Sequence, residues 1–126
     1  MIDTNDNFLV GRLKSIKYAL RGTWILITTE DSVKVQMSFG VLVTILGFYF
    51  GISATEWMMQ TLVIGLILVA ESANTAIEKI ADFVNPDYHK QIEVIKDVAA
   101  GAPSFAAFTA IVISGIIYIP RIISIF

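Results

Sequence analysis

The chain has 126 residues, 56 % of them hydrophobic, and a formal net charge of −2; its mean hydropathy is +0.72. That length suits a single domain over residues 1–126, and so apolar a composition, with long uncharged runs, excludes an ordinary soluble domain in favour of a membrane protein. The small net charge carries no nucleic-acid footprint, the absence of cysteine excludes disulfides, thiolate catalysis and cysteine-held zinc, and a lone histidine, His89, excludes a multi-histidine metal site within one chain.

Residues 1–7 are polar and acidic and do not follow the pattern of a signal peptide. Phe8 to about Ile27 then reads as an amphipathic helix. Leu9, Leu13, Ile16, Leu20 and Trp24 recur at helical spacing on one side, and Lys14, Lys17 and Arg21 gather beside them. This is the composition of a helix lying in the membrane interface. Thr28 to Ser32 is expected to break the chain or to cap the next helix. Val35 to Ala54 is twenty residues without a charge, enough to cross the hydrocarbon, which places a first span at about 34–54. Gly40, Gly47 and Gly51 suit close approach by another helix. Gly51 to Glu56 reads as a short turn, and Trp57 as an interfacial anchor opening a second span at about 57–83. Val84 to Tyr88 reads as a loop, since Pro86 disfavours helix at Asn85. A third span is expected at about 92–124. Pro103 removes one of its backbone bonds and should bend it, and Ala99 to Ala102 give it a close-packing face. The expected architecture is all-α: three transmembrane helices and an N-terminal interfacial helix.

The second span carries the chemistry. From Trp57 to Ala70 it is uncharged but too short to cross a bilayer, which takes about 20 residues. To cross, it must continue through Glu71 to about Ile77, carrying a carboxylate to the membrane edge. An acid at mid-depth costs roughly 2.5–3.5 kcal/mol on insertion scales. At about 100° per residue, Glu71, Asn74, Glu78 and Asp82 fall within an arc of about 80°. Three acids and an amide on one stripe invite a hard cation, and Mg²⁺ is usually held by one or two carboxylates together with substrate phosphates. Glu30, just before the first span, and Lys96-Asp97, just before the uncharged run Val98 to Pro120 of the third, lie at the same depth, with His89 in the loop between. A lysine there can pair with phosphate oxygens.

Orientation follows from lysine and arginine counts. Arg12, Lys14, Lys17, Arg21 and Lys34 precede the first span, and Lys79, Lys90 and Lys96 surround the second loop, whereas the first loop has none. The N-terminus and the 83–95 loop are therefore expected on the cytoplasmic side, where ATP is.

Glu71-Ser72-Ala73-Asn74-Thr75-Ala76-Ile77-Glu78, then Asp82, then Pro86-Asp87-Tyr88-His89, then Lys96-Asp97-Val98-Ala99-Ala100-Gly101-Ala102 resemble the signature of the prokaryotic diacylglycerol kinase family, which includes undecaprenol kinases. The resemblance runs from about Arg12 to the third span. It implies a three-span kinase of the bacterial inner membrane. It also implies a homotrimer with active sites shared between protomers, transferring the ATP γ-phosphoryl to the hydroxyl of a membrane lipid. By motif position, the resemblance makes Glu71 the general base and Glu30 and Glu78 the Mg²⁺ ligands. Asn74, Lys96 and Asp97 would help hold the phosphates, with Asp82, Tyr88 and His89 toward the nucleotide. No soluble kinase motif or phosphate loop is present, so positioning and charge would have to carry the reaction.

The alternative is a small oligomer conducting ions or protons along the acidic stripe. A pore needs polar groups through the whole bilayer, whereas the outer halves of these spans read as apolar apart from scattered hydroxyls such as Thr44 and Thr61.

Overall fold

A computed structural model describes residues 5–126 and contains four helices: α1 (Phe8–Thr29), α2 (Asp31–Phe50), α3 (Ala54–Val84) and α4 (Lys90–Ile123). The break between α1 and α2 is narrower than the sequence suggests. Only Glu30 leaves helical geometry, at φ −100 and ψ 112. The Thr28 and Thr29 hydroxyls, expected in the break, instead donate back to the Trp24 and Ile25 carbonyls at 2.7 and 2.8 Å. That local bonding lets them sit in a helix's last turn.

At the other end of α2 two glycines do different jobs. Gly51 does not pack; it adopts the left-handed conformation (φ 59) that ends the helix, its N–H donating to the Gly47 and Phe48 carbonyls, a geometry glycine adopts without penalty. Gly47 is the close-approach position, because a Cβ there would lie 2.7 Å from Trp57 Cη2. Trp57 packs against the end of α2, 4.8 Å from Phe48 between ring centroids. α3 starts three residues before Trp57, at Ala54, because Ser53 and Glu56 form a capping box, with bonds of 3.2 and 2.8 Å. Asn85 closes α3 where Pro86 forbids continuation. His89 opens α4 by accepting from the Gln91 N–H, and α4 stays helical through Pro103 and Pro120.

α3 and α4 form an antiparallel hairpin in a single register. Lys96 meets Asp82, Tyr118 meets Gln60, and Arg121 meets Glu56; each step toward the far end on one helix is matched on the other. The far end is the tightest part. Ile52, Ile117 and Tyr118 are buried there with Leu46, Phe50, Trp57 and Ile113 around them. Gln60, 5 % exposed, donates to the Val43 carbonyl at 3.2 Å and accepts from Tyr118 at 2.5 Å. The Arg121 guanidinium grips Glu56 through both carboxylate oxygens, at 2.9 and 2.7 Å. The outer halves are thus not purely apolar, but these polar groups satisfy one another and form a clasp across three helices.

All three long helices are apolar enough to cross a membrane. The 20 residues of α2 rise about 30 Å, the thickness of the hydrocarbon layer. The 31 of α3 and 34 of α4 reach about 46 and 51 Å. Since α2 and α3 are joined at the far end by a three-residue turn, the excess projects at the other end. Glu71 stands near the level of the α1–α2 hinge, and Asn74 to Asp82 rise beyond it.

Little is buried within the chain. No described side chain falls below 2 % exposure. The surface is 9322 Å², against about 6,700 Å² for a compact soluble protein of this mass. α1 buries none of its residues, and Leu9, Leu13, Leu20 and Trp24 are all about two-thirds exposed. The bundle's apolar exterior suits lipid or further protein.

Candidate active site

Three groups of side chains occupy the end opposite the clasp. The lowest is Glu71, half-buried on α3, with no hydrogen bond or ion pair among the described residues. Beside it the Ser72 hydroxyl donates to the Leu68 carbonyl at 2.6 Å. Ser72 also closes one end of an apolar groove of about 600 Å³ between α1 and the α2–α3 pair, lined by Gly22, Leu26, Ile27, Val33, Met37, Leu68 and Val69 among others.

One turn further along α3, Asn74 Nδ2 donates to Glu78 Oε1 at 3.2 Å, while Asn74 Oδ1 is buried without a partner. The amide orientation follows from this contact, because the reverse would face an oxygen against a carboxylate. Glu30 reaches the same region from the hinge: its Oε1 lies 2.9 Å from Lys79 Nζ and 3.0 Å from the Thr29 hydroxyl. The Lys79 ammonium, then the Thr29 hydroxyl, hold the Glu30 carboxyl below its ordinary range. The acidic stripe is therefore not without cations. Lys79, one residue from Glu78 on the same helix, answers Glu30 across the hinge, and Lys96 answers Asp82 from α4 at 2.5 Å.

The third group lines a polar cavity of about 270 Å³ at the α3–α4 turn. Asp82, Tyr88, His89, Lys96 and Asp97 all border it, with Asn85, Asp87 and Glu93. The Tyr88 hydroxyl donates to Glu93 Oε2 at 2.9 Å. Lys96 and Asp97 lie inside α4, which begins at Lys90 with His89 as its cap. Glu71, Asn74, Glu78 and Glu30 do not border this cavity, so the candidate residues form a file along α3 instead of a single cluster.

Among the described residues, no three acidic or histidine side chains converge as a closed metal site. A cage built wholly of protein is thus not on offer. The donors that are present are hard oxygens: the carboxylates of Glu30 and Glu78, and the buried, unpartnered Asn74 Oδ1. A cation that keeps waters and takes phosphate oxygens fits such an incomplete set. Lys79 and Glu93 were not singled out as site residues from sequence. Lys79 had a readable signal, a cation inside the acidic stripe; Glu93 had none beyond its place near Tyr88.

Three helices long and apolar enough to cross a bilayer, with acids and lysines gathered at one end, define a small polytopic membrane protein with a polar site at that end. The sequence profile of prokaryotic diacylglycerol kinases matches residues 17–118. The chain is 34 % identical over 123 residues to an undecaprenol kinase of Bacillus subtilis (strain 168), covering 96 % of this chain and 100 % of that one. It is 29 % identical over 113 residues to a diacylglycerol kinase of Synechocystis sp. (strain ATCC 27184 / PCC 6803 / Kazusa), covering 89 % of this chain and 65 % of that one. The chain belongs to the prokaryotic diacylglycerol kinase family and is a membrane lipid kinase of the diacylglycerol/undecaprenol type; as a kinase it runs a nucleotide-dependent reaction.

Proposed function

We propose that this protein transfers the γ-phosphoryl of ATP to the hydroxyl of a membrane lipid alcohol at the cytoplasmic face of the bacterial inner membrane. Undecaprenol is the first acceptor to consider, because the relative matched over its whole length is named an undecaprenol kinase. Diacylglycerol is the second reading, from the relative named for it. The observation that carries the proposal is the order of groups along α3: an apolar groove bordered by Leu68, Val69 and Ser72, then Glu71 next to Ser72 in the chain, then the donors around Glu78, then the polar cavity holding Lys96. A lipid lying in the groove brings its hydroxyl to Glu71, and a nucleotide entering from water brings its phosphates down toward the same point.

In this reading Glu71 takes the hydroxyl proton as the alcohol oxygen bonds to the γ-phosphorus. The bond from that phosphorus to the β–γ bridging oxygen breaks, and ADP leaves. Glu30 and Glu78, with Asn74 Oδ1, would hold Mg²⁺, which when bound neutralises phosphate charge. Lys96 and Asp97 order the phosphates, and Asp82, Tyr88 and His89 border the nucleotide. Phosphoryl transfer asks mainly for positioning and charge stabilisation, which these groups can supply. Lysines and arginines before α2 and around the α3–α4 turn support a cytoplasmic site by the positive-inside rule. The scarcity of buried side chains supports a homotrimer with shared sites, since one protomer leaves its site open to the side.

The test is an assay of the purified protein in lipid vesicles with radiolabelled ATP, Mg²⁺ and either undecaprenol or diacylglycerol. Labelled undecaprenyl phosphate is the expected product. Labelled phosphatidic acid in its place would favour the second reading, and no labelled lipid with either acceptor would overturn the proposal.

A further inference from the structure

Glu30 is the single non-helical residue between α1 and α2, and its carboxylate is held by Lys79 of α3 at 2.9 Å. Lys79 adjoins Glu78, the other carboxylate proposed to hold the metal, so the inference that follows rests on that reading. A divalent cation bound by Glu30 and Glu78 would lie close to the ammonium now 2.9 Å from Glu30 Oε1, and the two like charges would repel each other. The two therefore compete for the Glu30 carboxylate. The Glu30 side chain is 20 % exposed and cannot easily leave, whereas that of Lys79 is 63 % exposed on a flexible four-carbon stem. Lys79 is therefore the group that moves.

Where it can go is limited by the surroundings. On α3 the neighbouring acid, Asp82, already has Lys96 at 2.5 Å, and Glu78 would be on the metal. Glu71, which has no ion pair among the described residues, lies about two turns back along α3, and the negative charge that would arrive with the cation is phosphate. We propose that Lys79 is an exchangeable counter-ion: it occupies Glu30 while the metal site is empty and passes to the nucleotide phosphates when a divalent cation arrives. The protein thus keeps the Glu30 carboxylate neutralised and in place between turnovers and has a cation ready beside the phosphates during them. Lys79 is in this sense a positioning residue in the empty state and a phosphate ligand in the loaded one.

The test uses the full chain in phosphatidylcholine nanodiscs, with Mn²⁺ binding followed by electron paramagnetic resonance and adenylyl imidodiphosphate binding by calorimetry. An exposed ion pair competes only weakly, so Lys79→Met should tighten binding of Mn²⁺ alone by about 1.4- to 5-fold. With Mn²⁺ present, the same variant should bind the nucleotide analogue about 13- to 160-fold more weakly, the loss expected for one charged hydrogen bond. Lys79→Arg should restore the nucleotide affinity. Two results would overturn the idea: Mn²⁺ and nucleotide affinities that Lys79→Met leaves unchanged, or a Lys79→Met variant that weakens both. If Glu30→Gln and Glu78→Gln still weaken Mn²⁺ binding in either case, the metal site stands and only the role of Lys79 falls. Mn²⁺ affinity indifferent to both glutamine variants would instead remove the metal site, and this inference with it.

Discussion

Tyr118→Phe removes one hydroxyl and no carbon, so it tests the far-end clasp without opening a cavity. The hydroxyl lies 2.5 Å from Gln60 Oε1 and 2.9 Å from the Val43 carbonyl. Having one proton, it donates to one of them at a time. Without it, Gln60 Oε1 has no donor among the described residues, although Gln60 Nε2 still donates to Val43. An acceptor stranded in a soluble core costs about 1–3 kcal/mol. Interhelical bonds in membrane bundles average only about 0.6 kcal/mol and reach about 1.7, because the unfolded chain in lipid finds other partners. Gln60 and Tyr118 are 5 % and 7 % exposed, which puts this bond in the upper part of the membrane range. We expect a loss of about 1–1.7 kcal/mol, a shift of about five- to sixteenfold in the unfolding equilibrium. Unfolding by dodecyl sulfate titration in mixed micelles would measure it. Paired with Gln60→Leu, the double variant should lose much less than the two singles together. Strict additivity, or a single-variant loss below about 0.3 kcal/mol, would refute the clasp as a source of stability; the second figure lies well under the membrane average. Because the clasp is at the end opposite the site, turnover per folded molecule should not change.

In the same titration Gly47→Ala should destabilise, since its Cβ would meet Trp57 Cη2 at 2.7 Å and Ile52 Cδ1 at 3.1 Å. Overpacking of about 1–3 kcal/mol outweighs the roughly 0.5–1 kcal/mol that alanine gains over glycine in a helix. Gly40→Ala, with Ile64 Cγ2 at 3.4 Å, should be tolerated, and equal losses at the two positions would contradict the packing described. Glu71→Gln should lower lipid phosphorylation by about 10²- to 10⁴-fold, the usual contribution of a general base, while nucleotide affinity measured by calorimetry holds; wild-type turnover would remove Glu71 from the chemistry. The Glu30 carboxyl is held below its ordinary 4.5, by Lys79 first and Thr29 second. Its tie to Lys79 is therefore complete above that value and is lost only as pH falls through the lower folded-state value. Isotope-edited infrared spectroscopy should show Glu30 still ionised at pH 4.5, and a midpoint at or above that pH would count against the tie.

How much of this could be read from the chain depends on the range of the contact involved. The stripe from Glu71 to Asp82 needed only the helical period, and the family motif lay in consecutive residues. The break at Glu30 was visible but too wide, because Thr28 and Thr29 can serve either a cap or a helix end, and only their back-bonds decide. Gly51 and Gly47 looked alike in sequence; one is a cap and the other a seat for an indole, a difference that depends on where Trp57 falls after the turn. The start of α3 at Ala54 is legible as Ser53 followed three residues later by Glu56, a quieter signal than the tryptophan that follows. The bond between Gln60 and Tyr118 joins positions 58 apart in sequence, and no local pattern announces it. The same holds for Glu30 and Lys79, which lie on different elements and meet only because the α1–α2 hinge packs beside α3.

That shortness makes α2 a depth gauge. Its 20 residues match a hydrocarbon slab of ordinary thickness with nothing to spare, and the clasp anchors its lower end. A thicker bilayer must pinch around the protein or rise past the hinge and submerge Glu71. Turnover should therefore depend on the acyl length of the host lipid, with the sharpest loss where the slab outgrows this one helix.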